Sequence, residues 1–349
     1  MRTAILGFPQ SGKTSLFKAL CGPQAHAEAY GAHVGVARLP DARLDALART
    51  YQPKKTSYVA LEFVDAPGVL NEPEKDAALF GQVRGADAFT QVVRVFGDDV
   101  NAARDIEQLE TEFLLVDLDS VTKRLDKVTR DMKKARTQEL EHEHAILEKA
   151  RAVLAGNTPL RAATLSVEEQ RALRGFMLLS AKPLLVVLNV GDEDAPKLEE
   201  IPHRYNLDAF RGQPGVAVTE ICGKIESELA ELDPSDAAEF LVSYGLKESA
   251  RDRVLHTLYA LLGFITFFTV SESECRAWAA APGTLAVDAA GMVHSDFARR
   301  FIKAEVVPWQ ELVECGGLTA AREKGRVRLE GKEYPVHDGD VLYIRHTAQ

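Results

Sequence analysis

Residues 7–14 read Gly-Phe-Pro-Gln-Ser-Gly-Lys-Thr and follow directly on the apolar run Ala4-Ile5-Leu6. This is a complete G-x-x-x-x-G-K-[ST] phosphate-binding loop, placed where it must stand, between a strand and a helix. The two glycines let the backbone curl so that several N–H groups point inward at phosphate oxygens. Lys13 supplies a mobile point charge for the β- and γ-phosphates, and the Thr14 hydroxyl can ligate Mg²⁺. Ser15-Leu16-Phe17-Lys18-Ala19-Leu20 is helix-compatible, which turns a positive dipole end toward the phosphates. The competing reading is a glycine-containing turn with an accidental lysine. It explains neither the full spacing nor the flanking elements.

The chain has 349 residues, enough for two or three domains, and at 46% hydrophobic and 27% charged it has the composition of a globular protein. No apolar stretch approaches the length of a membrane span. The first residues enter a strand with no basic-then-apolar leader, so a cytoplasmic location is expected. Cys21, Cys222, Cys275 and Cys315 are far apart and form no C-x-x-C pair, which argues for reduced, buried structural thiols and against a zinc site. The formal net charge of −10 argues against bulk polyanion binding but leaves room for a local basic surface.

Strands alternate with helices in the first part of the chain, the pattern of an α/β fold. Strands are expected at 61–64, 89–96 and 183–188, with a weaker one at 216–218. The run at 183–188 is continuously apolar, as in a strand buried on both faces. Leu114, Leu118, Val121, Leu125, Val128, Met132 and Ala135 alternate steps of four and three, a heptad seam of about three repeats. Leu140, His144, Leu147, Arg151 and Leu154 continue it less regularly. These segments predict an antiparallel helical hairpin with its turn near 136–139, or else one long helix. Between 123 and 136, seven basic residues face two acidic ones. Lys123, Lys127, Arg130 and Lys134 share a helix face, either a solvated flank or a contact for a phosphate backbone. After about Leu262 the character changes. Strand-like runs at 264–270 and 341–344 and turn clusters at 282–283, 316–317 and 338–340 predict a small β-rich domain.

Asp65-Ala66-Pro67-Gly68 is a D-x-x-G turn about fifty residues after the phosphate loop. At this position the carboxylate holds Mg²⁺ and the Gly68 N–H can meet the γ-phosphate. Asn189-Val190-Gly191-Asp192 is similar to the N-K-x-D base-reading motif of GTPases, with Val190 in place of lysine. Cys222-Gly223-Lys224 stands where such proteins have a loop whose backbone approaches the base.

The order GFPQSGKT, DAPG, helical arm, NVGD, CGKIE and a C-terminal β domain resembles the YchF or Obg-like ATPase family. The segments FITFFTVSESECRAW, GMVHSDFARRFIKAEV and RLEGKEYPVHDGDVLYI look like its TGS domain, a ubiquitin-like β-grasp module. The resemblance implies an α/β P-loop NTPase (G) domain at 1–101 and 176–262, a coiled-coil arm at 102–175 and a TGS domain at 263–349. It further implies a ribosome-associated protein that hydrolyses ATP or GTP slowly with Mg²⁺ as a conformational switch. Phe8, Pro9, Gln10, Ser11, Gly12, Lys13, Thr14 and Ser15 would wrap the phosphates, and Gly68 would meet them. Thr14 and Asp65 would serve Mg²⁺. Asn189 and Val190 would contact the base, with Asp192, Cys222 and Gly223 beside it.

Three departures qualify that expectation. Asp192 stands where the family usually has Glu. An aspartate there can accept from guanine N1–H and the exocyclic amine but meets a lone pair at adenine N1, so ATP and GTP both stay open. Val69 follows D-x-x-G, where Ras-like GTPases carry a water-orienting glutamine. The family's histidine-bearing loop corresponds to 96–106, which contains no histidine, so no catalytic base is assigned. Finally, residues 26–35 contain no threonine to add a Mg²⁺ ligand, and His33 reads as a loop residue. The alternative function is a nucleotide-binding scaffold that does not hydrolyse. A structural RNA-binding protein with a vestigial loop fits so intact a motif poorly.

Overall fold

The computed structural model describes residues 1–22, 26–27, 33–69, 73–97, 100–205, 207–229, 232–244, 246 and 249–347. In chain order the strands are β1 (Arg2–Leu6), β2 (His26–Ala27), β3 (His33–Arg38), β4 (Lys55–Ser57), β5 (Ala60–Asp65), β6 (Ala88–Arg94) and β7 (Leu184–Asn189). They continue as β8 (Val216–Ile221), β9 (Ile265–Val270), β10 (Glu274–Ala280), β11 (Phe301–Pro308), β12 (Arg328–Glu330) and β13 (Asp340–His346). Contacts divide the chain into two units, Met1–Ala37 with Leu61–Leu261, and Arg38–Ala60 with Leu262–Gln349.

The first unit is built on a seven-stranded sheet ordered β2-β3-β5-β1-β6-β7-β8. The strands β5, β1, β6, β7 and β8 run parallel, each to the next in that order, and β2 with β3 forms an antiparallel edge. Leu184 to Leu188 have no exposed surface, the reason the run lacks polar alternation. Parallel pairing sends the carboxyl ends of β1, β5, β7 and β8 to one edge of the sheet. Ile5 stands opposite Asp65, and Asn189 opposite Ile221. Ligands of open α/β sheets sit at such an edge.

The heptad seam does form a hairpin. A 33-residue helix, Ala102–Lys134, packs against Gln138–Ala155. Leu114, Val121, Leu125 and Val128 are buried in the seam, with Leu118 and Met132 beside them. Ala135 is exposed, because the first helix ends before it. The turn is closed by Thr137, whose side chain accepts from Leu140 N at 3.3 Å. On the return helix Ile146, Leu147, Ala150 and Leu154 carry the packing, while Arg151 faces solvent and pairs with Glu148. Asp117, fully buried at the arm's base, accepts from Leu179 N, Ser180 N and Ser180 Oγ at 2.7–2.9 Å. These three bonds tie the long helix to the segment that feeds β7.

In the second unit the sheet order is β12-β11-β13-β9-β10-β4. β9 and β10 form an antiparallel hairpin, β13 runs parallel to β9, and β11 pairs antiparallel with both β13 and β12. Phe267, Phe301, Val306 and Leu342 pack with Ala286, Ala289 and Ala290 of the helix Ala286–Val293. This is the β-grasp architecture expected from the TGS-like segments.

Residues 38–60 differ from the expected domain plan, which left them with the nucleotide domain. The helix Ala42–Tyr51 is capped by Asp41, which accepts from Arg43 N at 2.9 Å. Arg43 pairs with Asp338 at 2.6 Å, the Tyr51 and Tyr343 hydroxyls meet at 2.8 Å, and β4 adds to β10. Leu44 and Leu47 have no exposed surface. Their apolar stripe and this edge strand are completed by the second unit. The thiols also depart from expectation. Cys222 and Cys275 are buried, but Cys21 and Cys315 are half-buried.

Glu305 on β11 is 6% exposed and receives Arg322 at 2.6 Å and Arg345 at 2.5 Å. Burial works to raise its pKa, but the bonds from Arg322 and Arg345 outweigh it and hold the carboxyl below its ordinary range. The lowered folded-state pKa contributes stability above the unfolded carboxylate pKa of about 4.3, lost as pH falls through the folded value. Glu305→Gln is expected to destabilise the second unit by about 1–2 kcal/mol near neutrality, the arginines being half-exposed. Denaturant titration of the full chain can follow this by tryptophan fluorescence, since both tryptophans, Trp278 and Trp309, lie in that unit. The difference from the parent should shrink below pH 4.

Candidate functional site

The phosphate loop is shaped by two glycines at positive φ, Gly7 at 146° and Gly12 at 98°. A Cβ on Gly7 would lie 2.5 Å from Val92 O, and one on Gly12 would lie 2.1 Å from Asn189 Nδ2. No larger residue fits either place. Gln10 also adopts positive φ, at 62°, and is exposed with Pro9 at the loop's tip. Phe8 is half-buried, and its carbonyl accepts Lys13 Nζ at 2.8 Å. The helix Lys13–Cys21 begins at Gly12 with no side-chain cap and no acidic residue in its first turn. The amides of its first turn therefore meet neither a capping side chain nor an acidic residue of their own helix.

Lys13 and Asp65 are both nearly buried. Burial lowers the Lys13 pKa, opposed by the nearby Asp65. Burial likewise raises the Asp65 pKa, opposed by the Thr14 bond, Lys13 and His33. Thr14 Oγ1 donates to Asp65 Oδ2 at 3.0 Å. Asp65 Oδ1 and Ser11 Oγ are buried without a hydrogen-bond partner. The D-x-x-G turn is held against the loop by Val69 N, which donates to Gly7 O at 3.1 Å. A Cβ on Gly68 would stand 3.2 Å from Lys13 Nζ and 3.4 Å from Pro9 N. The loop, the lysine and the turn thus form one cradle.

Asn189 and Val190, expected to contact a base, stand at the end of β7. Asn189 is 6% exposed; its Nδ2 donates to Ser11 O at 3.0 Å and its Oδ1 accepts Gly223 N at 3.1 Å. It ties the phosphate loop to the loop after β8. Val190 is 3% exposed and packs in the apolar core, with its amide donating to Ile221 O at 2.8 Å. Its side chain is turned inward among apolar residues. Asp192 is half-exposed and pairs with Lys224 through Oδ2, while its Oδ1 receives Cys222 Sγ at 3.7 Å. The Lys224 hydrogen bond holds the Asp192 carboxyl below its ordinary range. Lys224 is a site residue that the motif reading quoted without giving it a role. It ends the C-G-K triplet, but the triplet does not name its partner, since Asp192 is followed by Glu193 and Asp194.

Val69 has no exposed surface and sits in the core, so it offers a reacting water nothing. His33 is exposed near the Phe17 ring, at 6.4 Å between centroids. Residues 28–32 of the first-switch segment, and Asp98 and Asp99 of the histidine-loop equivalent, lie outside the described residues. Asn101 at the end of the latter caps the arm helix, accepting from Arg104 N at 3.0 Å. On the arm, Lys123 pairs with Asp119 at 2.7 Å and Lys134 with Asp131 at 3.4 Å. Arg130 Nε donates to Asp126 O at 3.2 Å, and Lys127 is exposed on the same face. Arg124 instead turns to the return helix and grips Glu143 at 2.6 and 2.9 Å.

Residues 2–190 match the family model described as a 50S ribosome-binding GTPase, and residues 264–347 match the YchF-type GTPase C-terminal model, described as a protein of unknown function. The Ribosome-binding ATPase YchF of Bacillus subtilis is 35% identical over 365 residues, covering all of both chains. The chain belongs to the YchF family. The YchF protein of Haemophilus influenzae is 34% identical over 99% of each chain. The solved structure of the Schizosaccharomyces pombe YchF GTPase superposes with a TM-score of 0.87 at 26% identity, covering 99% of this chain and 97% of that one. The resemblance drawn from the motif order therefore holds along the whole chain. The P-loop domain with helical insertion and the TGS-like β-grasp domain are those of YchF.

Asn189→Ala removes two buried hydrogen bonds and leaves Ser11 O and Gly223 N unpaired. It is expected to cost about 1–3 kcal/mol. Amide exchange should quicken over residues 7–17 and 222–226 and stay unchanged in the arm seam at 121–132.

Proposed function

We propose that this YchF-family chain binds a nucleoside triphosphate, ATP or GTP, with Mg²⁺, hydrolyses it slowly, and acts as a conformational switch on the ribosome in the cytoplasm. One observation carries the nucleotide reading. A buried lysine, a threonine and a buried carboxylate converge at an uncapped helix N-terminus where Ser11 Oγ and Asp65 Oδ1 have no partner. Buried polar groups left unpaired are costly, and a bound polyphosphate with its hydration relieves that cost.

The donor set suits the metal. The Thr14 hydroxyl and the Asp65 carboxylate are hard oxygen ligands, the kind Mg²⁺ takes beside phosphate oxygens and water. When bound, the ion neutralises phosphate charge. The chain's own residues do the rest. Amides of residues 8–15 grip the phosphates, Lys13 leaves the Phe8 carbonyl for a phosphate oxygen, and the Gly68 amide meets the terminal phosphate. Slow turnover follows from Val69, whose burial removes the position from which a side chain orients water. The same observation favours a second reading, a nucleotide-dependent scaffold with negligible hydrolysis. Single-turnover assays comparing the parent with Lys13→Ala decide between them. A parent rate no faster than the variant's selects the scaffold.

Ribosome association is supported by the name of the relatives, ribosome-binding ATPases aligned over full length. The arm at 102–175 and the TGS-like domain at 263–349 are the proposed contact surfaces. No described helix is long and apolar enough to cross a membrane. Lys13→Ala is expected to weaken triphosphate binding by roughly 10²-fold or more in calorimetric titration, since a charge-assisted phosphate contact is lost. Charge reversal at Lys123, Lys127, Arg130 and Lys134 should lower ribosome cosedimentation and flatten its salt dependence. Unchanged cosedimentation removes the arm as a contact.

A further inference from the structure

His33 opens β3, in the first-switch segment that holds no threonine. Residues 33, 35 and 37 share one face of that strand. On this face a Cβ added to Gly35 would lie 2.6 Å from Cys21 Cβ and 3.0 Å from Phe17 Cζ, so the face looks onto the phosphate helix Lys13–Cys21. The His33 ring accordingly lies beside that of Phe17. Phe17 follows Thr14 by three residues and so shares its side of the helix. β3 and β5 are neighbours in the sheet. Leu39 N donates to Val59 O at 2.8 Å. β3 runs toward that bond and β5 away from it, so the two strands are antiparallel, and His33 and Asp65 each stand six residues from it. Electrostatics agrees with this register: burial raises the Asp65 pKa, and Thr14, Lys13 and His33 each oppose the rise. The imidazole thus comes to the Thr14–Asp65 pair, where Asp65 Oδ1 is buried without a partner.

Thr14 and Asp65 are hard oxygen donors and by themselves suit Mg²⁺, which takes oxygen ligands and gives up water reluctantly. An imidazole nitrogen is a softer donor. It favours the divalent cations of the first transition row, in the rising order Mn²⁺, Fe²⁺, Co²⁺. We infer that His33 is the third protein ligand of the nucleotide's divalent cation, and that the nitrogen it adds makes the site take a first-row transition dication in preference to Mg²⁺. Mg²⁺ still binds, through the two oxygens, and gains nothing from His33. This inference rests on the nucleotide-binding reading above and concerns only which cation accompanies the nucleotide. A ring that merely stacks on Phe17 would leave that choice untouched. The two roles are separable, because His33 is exposed and its replacement disturbs the fold little.

The test uses the full-length chain and the β,γ-methylene analogues of ATP and GTP, which resist hydrolysis and place no nitrogen beside the cation. Calorimetric titration measures how tightly the chain binds each analogue with saturating Mg²⁺, Mn²⁺ or Co²⁺. The parent is expected to bind about tenfold more tightly with Co²⁺ than with Mg²⁺, and Mn²⁺ should fall between. His33→Ala should lose about tenfold with Co²⁺, less with Mn²⁺ and no more than about twofold with Mg²⁺. His33→Asn, which offers an amide oxygen in place of the ring nitrogen, should follow the alanine variant. Electron spin-echo modulation of the bound Mn²⁺ should show a directly coupled nitrogen in the parent, altered by ¹⁵N-labelling of histidine and absent from both variants. The coupling is read on the parent, so it decides the assignment even where a variant unfolds. A parent Mn²⁺ complex without nitrogen coupling overturns the assignment. So do equal losses with all three cations, or no losses, in a variant that melts like the parent. A parent that binds neither analogue with any cation overturns the nucleotide reading itself, and the assignment with it.

Discussion

The whole site depends on the approach of the Asn189 carboxamide to Gly12. One short polar side chain at the end of a fully buried strand joins two loops that are far apart in sequence, and it comes so near that no Cβ fits between them. The phosphate loop is therefore not a free hairpin of glycines. It is clamped to the central sheet on one side by Asn189 and on the other by the Val69 amide. Loops of this kind would otherwise lose conformational entropy on meeting a ligand. Here that cost is met during folding, by strands whose apolar runs leave them no alternative but burial.

Electrostatics completes the arrangement. A lysine and an aspartate are buried at the same loop, each pushed toward neutrality by burial, a shift that their neighbours oppose. Lys13 spends one hydrogen bond on a backbone carbonyl. Such a state is poised rather than relaxed. In the proposed nucleotide complex a polyphosphate would replace a weak acceptor with a strong one, and its hydration would give partners to the orphaned oxygens of Ser11 and Asp65. Beyond the ends of β7 and β8, Lys224 pairs with Asp192.

Much of this was legible in the chain. The phosphate loop, the D-x-x-G turn, the apolar strands and the heptad seam each follow from spacing, because one physical requirement sets each spacing. What failed to show has equally physical reasons. The motif letters at 189–192 name residue types but not where they point, and strand alternation sends Val190 into the core while Asn189 turns to the loop. The hairpin turn carries no Gly or Pro, yet Thr137 caps the return helix, a signal that polar caps give as plainly as breakers do. Residues 38–60 read as part of the nucleotide domain because they lie between its motifs. The helix Ala42–Tyr51 packs on elements more than two hundred residues away, and its Tyr51 meets Tyr343, which no local pattern encodes. Lys224 was visible as a letter, but its pairing with Asp192 needed the two strand ends to be seen together.

The long arm grows from the same sheet. Asp117 fixes its base to the segment that enters β7, the strand that ends in Asn189, so the arm and the clamp are joined through one strand. The central claim is that the amides of the phosphate loop form a prepared receptor for a polyphosphate. Amide hydrogen exchange of the full-length chain, with and without millimolar Mg²⁺–ATP or Mg²⁺–GTP, tests it most directly. Strong protection confined to residues 8–17 and 65–69, with no change in β9 to β13, is the result this account requires. Unaltered exchange across 8–17 with both nucleotides would contradict it.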